Sequence, residues 1–84
     1  MSRLPCVQVL GRAVCGLCDE AKAVVQQVAG DGLCEWESVD VDRDADLLAR
    51  FGQDVPVVLI NGELRFKHRI TAEGLRTALR EVSC

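Results

Sequence analysis

The sequence predicts one α/β domain in the order β-α-β-α-β-β-α, with helices covering both faces of a single mixed four-stranded sheet. Three observations carry this. Strand-like apolar runs alternate with apolar residues at helical spacing, separated by gaps of only a few residues. Pro56-Val57-Val58-Leu59-Ile60 is almost continuously apolar, the mark of a strand buried on both faces. Asn61-Gly62 follows it directly, a strong two-residue hairpin signal that makes the last two strands antiparallel. At 84 residues the chain has room for one core and one domain, residues 1–84.

The elements follow in order. Pro5-Cys6-Val7-Gln8-Val9-Leu10 reads as the first strand, and Gly11-Arg12-Ala13-Val14 as the loop after it. A helix starting at Gly16 or Leu17 puts Leu17, Ala21, Val24, Val25 and Val28 on one face, and Gly30-Asp31-Gly32 stops it. A second strand runs from about Cys34 to Val41, where Trp36, Val39 and Val41 stand among acidic residues, as suits a less buried edge. Asp42 or Asp44 can cap a short helix whose buried face is Leu47, Leu48 and Phe51, with Gly52 as its stop. After the hairpin, Glu63 to Lys67 returns with Leu64 and Phe66 inward. Thr71 caps a last helix with Leu75, Ala78, Leu79 and Val82 on its apolar face and Gly74 weakening its first turn.

Composition narrows the function classes. An apolar fraction of 49%, a charged fraction of 27% and a formal charge of -3 describe an ordinary globule, with no basic stripe interleaved with aromatics to hold nucleic acid. The longest apolar run, Val55 to Ile60, is too short to span a bilayer, and Met1-Ser2-Arg3-Leu4-Pro5 lacks the apolar core of a secretory signal; no membrane association and a cytoplasmic location are expected. Five cysteines, Cys6, Cys15, Cys18, Cys34 and Cys84, are an odd number in a chain whose apolar pattern suffices for a core, so reduced thiols with one exchanging pair fit better than a disulfide scaffold.

That pair is Cys15-Gly16-Leu17-Cys18. Two thiols at this spacing at the mouth of a helix can close into a small, reversible disulfide, and a cysteine in the first turn meets the free N–H groups and the positive end of the helix dipole, which favour thiolate. Two other readings stay open. A C-x-x-C can be half of a zinc site, although no second pair accompanies it, and two chains could share a metal or an iron-sulfur cluster. The domain could also be an interaction module whose cysteines only sense redox state. A metal bound within one chain is not expected, since Cys6, Cys34 and His68 are scattered singly; the acidic segment Asp40 to Asp46 lacks the spacing of a calcium loop and reads as helix capping. Cys6 and Cys34 read as small buried apolar residues, and Cys84 as an incidental terminal thiol.

The element order, the C-x-x-C between first strand and first helix and the Val-Pro opening the third strand together resemble the thioredoxin fold in its short, glutaredoxin form. Arg12-Ala13-Val14-Cys15-Gly16-Leu17-Cys18-Asp19-Glu20-Ala21 is similar to the active-site segment of a glutaredoxin-like family with the motif C-x-L-C-D-E-A; Asp40-Val41-Asp42, Phe51-Gly52, Val55-Pro56-Val57 and Asn61-Gly62 also fall where that family has counterparts. The resemblance implies a sheet order of 4-3-1-2 and a groove holding Arg12, Cys15, Val55 and Pro56, with His68 or Arg69 beside them. It implies a thiol-disulfide oxidoreductase with Cys15 as nucleophile and Cys18 as resolving thiol.

Further expectations rest on the same resemblance. Arg12 stands where glutaredoxins often carry a lysine, and with the helix it should lower the Cys15 pKa from ~8.5 toward ~3.5 to 7.5, a shift that Asp19 and Glu20 moderate. Val55-Pro56 is expected to be a cis peptide, leaving the Val55 backbone to pair with an extended substrate. No cofactor is expected to be bound, with glutathione as co-substrate; the partners implied are a disulfide-bearing protein or a glutathione mixed disulfide and a thioredoxin- or glutathione-type reductant, acting on a monomer. Two segments differ from the usual glutaredoxin: Gly16-Leu17 replaces Pro and an aromatic, and Phe66-Lys67-His68-Arg69-Ile70-Thr71 lacks the Gly-Gly-Asp that holds glutathione. Lys67 or Arg69 is left to hold a carboxylate.

Overall fold

Val7 and Val9 point to one side of the first strand and Leu10 to the other, and that alternation organises two core layers. The computed structural model describes residues 4–13 and 15–82. The expectations for Val14, Cys84 and the first three residues lie outside them. The elements are β1 (Cys6–Gly11), α1 (Gly16–Gly30), β2 (Glu35–Asp40), a 3-10 turn (Val41–Arg43), α2 (Ala45–Phe51), β3 (Val57–Ile60), β4 (Glu63–Lys67) and α3 (Ala72–Val82).

The strands lie in the order β2-β1-β3-β4, which read from the other edge is 4-3-1-2. β1 and β2 are parallel in the register Val7↔Trp36 to Gly11↔Asp40, while β3 runs antiparallel to both β1 and β4. On one face Val7, Val9, Val58 and Ile60 pack against Ala21, Val25 and Val28 of α1 and Leu75, Ala78 and Leu79 of α3. On the other face Leu10, Val41 and Val57 form a smaller cluster under Leu47 and Phe51 of α2. Each fully buried valine, leucine or isoleucine contributes about 1.5–3 kcal/mol relative to exposure, so the larger layer dominates stability.

Local chemistry sets the element ends. Asp44, not Asp42, caps α2, its carboxylate accepting from the N–H groups of Asp46 and Leu47, while Asp40 caps the preceding 3-10 turn through Asp42 N–H. Thr71 Oγ1 accepts from Gly74 N–H at 3.0 Å and starts α3. Asn61 and Gly62 both have positive φ, 52° and 84°, as the tight hairpin requires. The Asn61 side chain also accepts from Cys6 N–H at 3.0 Å, tying the turn to β1.

Five expectations are corrected. Leu64 is 40% exposed rather than inward, because the register jumps from Val58↔Phe66 to Leu59↔Leu64; Arg65 is an extra residue that puts Leu64 and Phe66 on opposite faces. Leu48 is exposed, because a helix of seven residues turns only Leu47 and Phe51 onto the second cluster. Of Cys6 and Cys34, Cys34 is buried but Cys6 is exposed, since Val7 and Val9 claim the covered face at that end of β1. The second strand is shorter than Cys34 to Val41: Cys34 precedes it and Val41 already turns into the 3-10 segment, where it is fully buried. The third strand opens at Val57 rather than Pro56.

Candidate active site

β1 delivers the chain to the site through Gly11, and α1 begins five residues later, at Gly16. Cys15 is the N-cap of α1, in extended conformation, and its Sγ accepts from Cys18 N–H at 3.2 Å; its carbonyl accepts from Asp19 N–H at 3.2 Å. The N-cap role normally taken by Ser, Thr, Asp or Asn is thus filled by a sulfur aimed at the free N–H groups of the helix. Cys15 and Cys18 are joined by a disulfide, with Cα atoms 5.2 Å apart. Cys15 is half-buried, whereas Cys18 is wholly buried.

Gly11 is what admits Cys18 to this position. A Cβ at Gly11 would lie 3.0 Å from Cys18 Sγ and 3.1 Å from Cys18 Cβ, too close for any other residue without movement. Sequence reading missed this role: a glycine at a strand end carries no sign of which side chain approaches it.

Register brings the distant segments to the same end. Leu10 pairs with Val57, so Pro56 sits level with Gly11 at the edge of the site. The Val55-Pro56 peptide is cis, and Pro56 is buried. Pro56 carbonyl accepts from His68 N–H at 2.8 Å, which draws the end of β4 alongside. His68 holds φ at +66°, an uncommon value for a residue other than glycine, and directs the chain on to Arg69 and Ile70. Val55 packs against the second cluster.

The predicted residues separate into two groups. Arg69 and His68 line a cleft of about 190 Å³ with Leu17 and Glu20 of α1, immediately beside the cysteine pair. Arg12 instead turns to the β2 side: its guanidinium makes a two-pronged contact with Asp42, at 2.9 and 3.2 Å. The groove expected to unite Arg12 with Arg69 is therefore divided, because Asp42 supplies a fixed counter-charge that the sequence did not pair with Arg12. Of the two candidate carboxylate-holding cations, Lys67 reaches Asp54 at 3.5 Å, while Arg69 has no ion-pair partner among the described residues. A larger hollow of about 490 Å³ lies between β4 and α3 around Arg65 and Glu73, away from the cysteines; we assign the site by its sulfur chemistry rather than by size.

Of the other thiols, burial pushes Cys34 above its ordinary pKa and the nearby Cys6 thiol adds to that. Cys34 is therefore held as the neutral thiol, a core residue rather than a nucleophile. Among the described residues no helix is long and apolar enough to cross a membrane.

A mixed sheet in this order, with a C-x-x-C pair at the start of its first helix, defines a thioredoxin-fold protein. Residues 6–80 match the family described as Glutaredoxin-like domain (DUF836), and the chain belongs to that family. It is similar to the structural-genomics target protein XcR50 from X. campestris, with 28% identity and a TM-score of 0.75 over 89% of this chain and 96% of that one. Chloroplastic thioredoxin z, at 19% identity, has a TM-score of 0.78 over 95% of this chain and 79% of its own. A thioredoxin from Halobacterium salinarum, at 20% identity, gives 0.71 over 92% and 73%. At these lower identities the likeness to the two thioredoxins shows the fold alone. A glutaredoxin-like domain carrying a bonded cysteine pair points to redox function.

Proposed function

We propose that the protein is a thiol-disulfide oxidoreductase in which Cys15 attacks and Cys18 resolves. The observation that carries this reading is the asymmetry of the pair: Cys15 is partly accessible and capped onto the helix N-terminus, whereas Cys18 is wholly buried. In the reduced protein, Cys15 Sγ as thiolate attacks one sulfur of a substrate disulfide. A Cys15-substrate bond forms, the substrate S–S bond breaks, and the other substrate thiolate leaves and takes a proton from water. Cys18 loses its proton and attacks Cys15 Sγ, releasing the second substrate thiolate and closing the Cys15–Cys18 disulfide. Two electrons pass from the pair to the substrate, and a thioredoxin- or glutathione-type dithiol or thiol pair returns them.

The N–H groups at the start of α1 favour the thiolate at Cys15. The Val55 backbone, one residue before buried Pro56 and level with the site, is suited to pair with an extended substrate. The substrates on this reading are protein disulfides or glutathione mixed disulfides in the cytoplasm, acted on by a monomer. Insulin reduction driven by dithiothreitol, with Cys15→Ser and Cys18→Ser in parallel, tests it. Cys15→Ser should be inert, and Cys18→Ser should accumulate a covalent mixed disulfide visible by mass spectrometry. Wild-type protein no faster than Cys15→Ser would overturn the reading.

A further inference from the structure

The cleft beside the cysteine pair has a composition that the exchange chemistry alone does not need. Leu17, the residue between the two cysteines that faces it, is half-buried, as are Val24 two turns further along the same helix face and Ile70 across the gap; Ala21 closes the floor. Three partly exposed apolar side chains thus converge on a space of about 190 Å³. Ile70 also packs against the main core, so that wall is fixed rather than free to collapse inward. Glu20 and Arg69 stand on opposite sides of the cleft, and neither is ion-paired among the described residues. Thr71 Oγ1, at the far end, accepts from Gly74 N–H, and its O–H is left to donate.

This arrangement favours a particular occupant. The cleft begins at Leu17, two residues from Cys15, within reach of a residue that flanks a substrate sulfur bonded to Cys15. An apolar side chain placed in it would remove Leu17, Val24 and Ile70 from water, whereas a small polar group would leave them wet. Glutathione, whose cysteine is flanked only by glycyl and γ-glutamyl groups, has nothing to fill it. A carboxylate in the cleft would meet Arg69 beside the opposing charge of Glu20.

We propose that this cleft is a side-chain subsite that selects disulfides of proteins or peptides with a bulky aliphatic or aromatic residue next to the reacting cysteine. The inference rests on the exchange reading and specifies its substrate class. In the first step Cys15 thiolate bonds the peptide sulfur and displaces the other thiolate; the subsite acts by holding the peptide half in that position, and is filled equally in the mixed disulfide that follows.

Short blocked peptides carrying one cysteine as its mixed disulfide with 5-thio-2-nitrobenzoate test this, because release of the coloured thiolate reports the attack by Cys15. Peptides with Leu, Phe or Ser beside the cysteine, and the glutathione mixed disulfide, are compared on reduced full-length protein. The Leu and Phe peptides should react about tenfold or more faster than the Ser peptide and glutathione, the scale of discrimination an apolar pocket supplies. In Val24→Gln, and separately in Ile70→Gln, that ratio should fall to within about twofold; a ratio taken within each variant is insensitive to a shared loss of folded protein. Equal rates for all four compounds would overturn the subsite while leaving exchange by Cys15 intact. A ratio kept in both variants would overturn this location for it, and a glutathione compound as fast as the Leu peptide would overturn the substrate class. Absence of reaction with every compound would overturn the exchange reading, and the subsite with it.

Discussion

Gly11 and Cys18 are in direct contact: the space a side chain at position 11 would fill is taken by the Cys18 sulfur, 3.0 Å from where a Cβ would stand. The buried thiol of the pair is held against the end of β1, and the strand thereby sets where the sulfur can go. Gly11→Ala should push Cys18 outward and disfavour the closed disulfide more than the dithiol, whose Cys18 can rotate away. A cost of ~1.4 kcal/mol, within the usual range for overpacking, corresponds to a reduction potential ~30 mV less negative. Redox titration against a glutathione buffer measures this, and an unchanged potential would show that Cys18 tolerates the added methyl.

Arg12 and Asp42 face each other on the opposite side of the site, with side chains 46% and 36% exposed. Exposure limits what such a pair contributes, so a double-mutant cycle with Arg12→Ala and Asp42→Ala should give a coupling of ~0.2–1 kcal/mol that salt diminishes. Because Asp42 neutralises Arg12 locally, Asp42→Asn should speed alkylation of Cys15 in the reduced protein at pH 6, and Arg12→Gln should change it little. A large loss of Cys15 reactivity in Arg12→Gln would contradict that division of roles.

A feature of this fold is legible in the sequence when it is local. The apolar run 57–60, the Asn61-Gly62 turn and the C-x-x-C at the head of α1 are written in consecutive residues, and the resemblance ordered them into a sheet. The bulge at Arg65 is not, because it arises from how β4 matches β3 across the ladder and no residue in Glu63–Lys67 announces it. Arg12 and Asp42 are thirty positions apart and meet only because β1 and β2 are parallel neighbours, so that Gly11 faces Asp40. The room beneath Cys18 was hidden for the same reason.

The bulge makes its own prediction. With Leu64 40% exposed and Phe66 packed on the main core, Leu64→Thr should change stability by no more than ~0.5 kcal/mol, while Phe66→Ala should cost ~2–3 kcal/mol, somewhat below the range for a fully buried phenylalanine. Urea denaturation of the two variants distinguishes this from a regular strand, in which both side chains would share one face and both substitutions would be costly.

Cys34 gives the pH prediction. Burial, with Cys6 as a second cause, raises its pKa above the unfolded value of ~8.5. Above that pH the unfolded chain binds fewer protons than the folded one, so stability is fully present below ~8.5 and declines as pH rises through the folded pKa. Melting temperature should therefore fall as pH rises above about 8.5, and Cys34→Ala, although less stable at neutral pH, should show a shallower fall. Iodoacetamide should label Cys6 readily in the folded protein and Cys34 only after denaturation.

The two valine-rich layers lie behind the cysteine pair, and the covalent link at α1 spans a separation of only three residues. Cross-linking so short a loop restrains the unfolded chain by ~2 kcal/mol at most, less than the ~3 kcal/mol of a fifteen-residue loop. At its other end α1 is tied down independently, where Asp31 meets Arg76 of α3 at 2.9 Å. Opening the sulfur bond would thus cost the scaffold at most that ~2 kcal/mol and leave both packed layers in place. The domain is built like a tool whose edge can be exchanged while the handle stays firm.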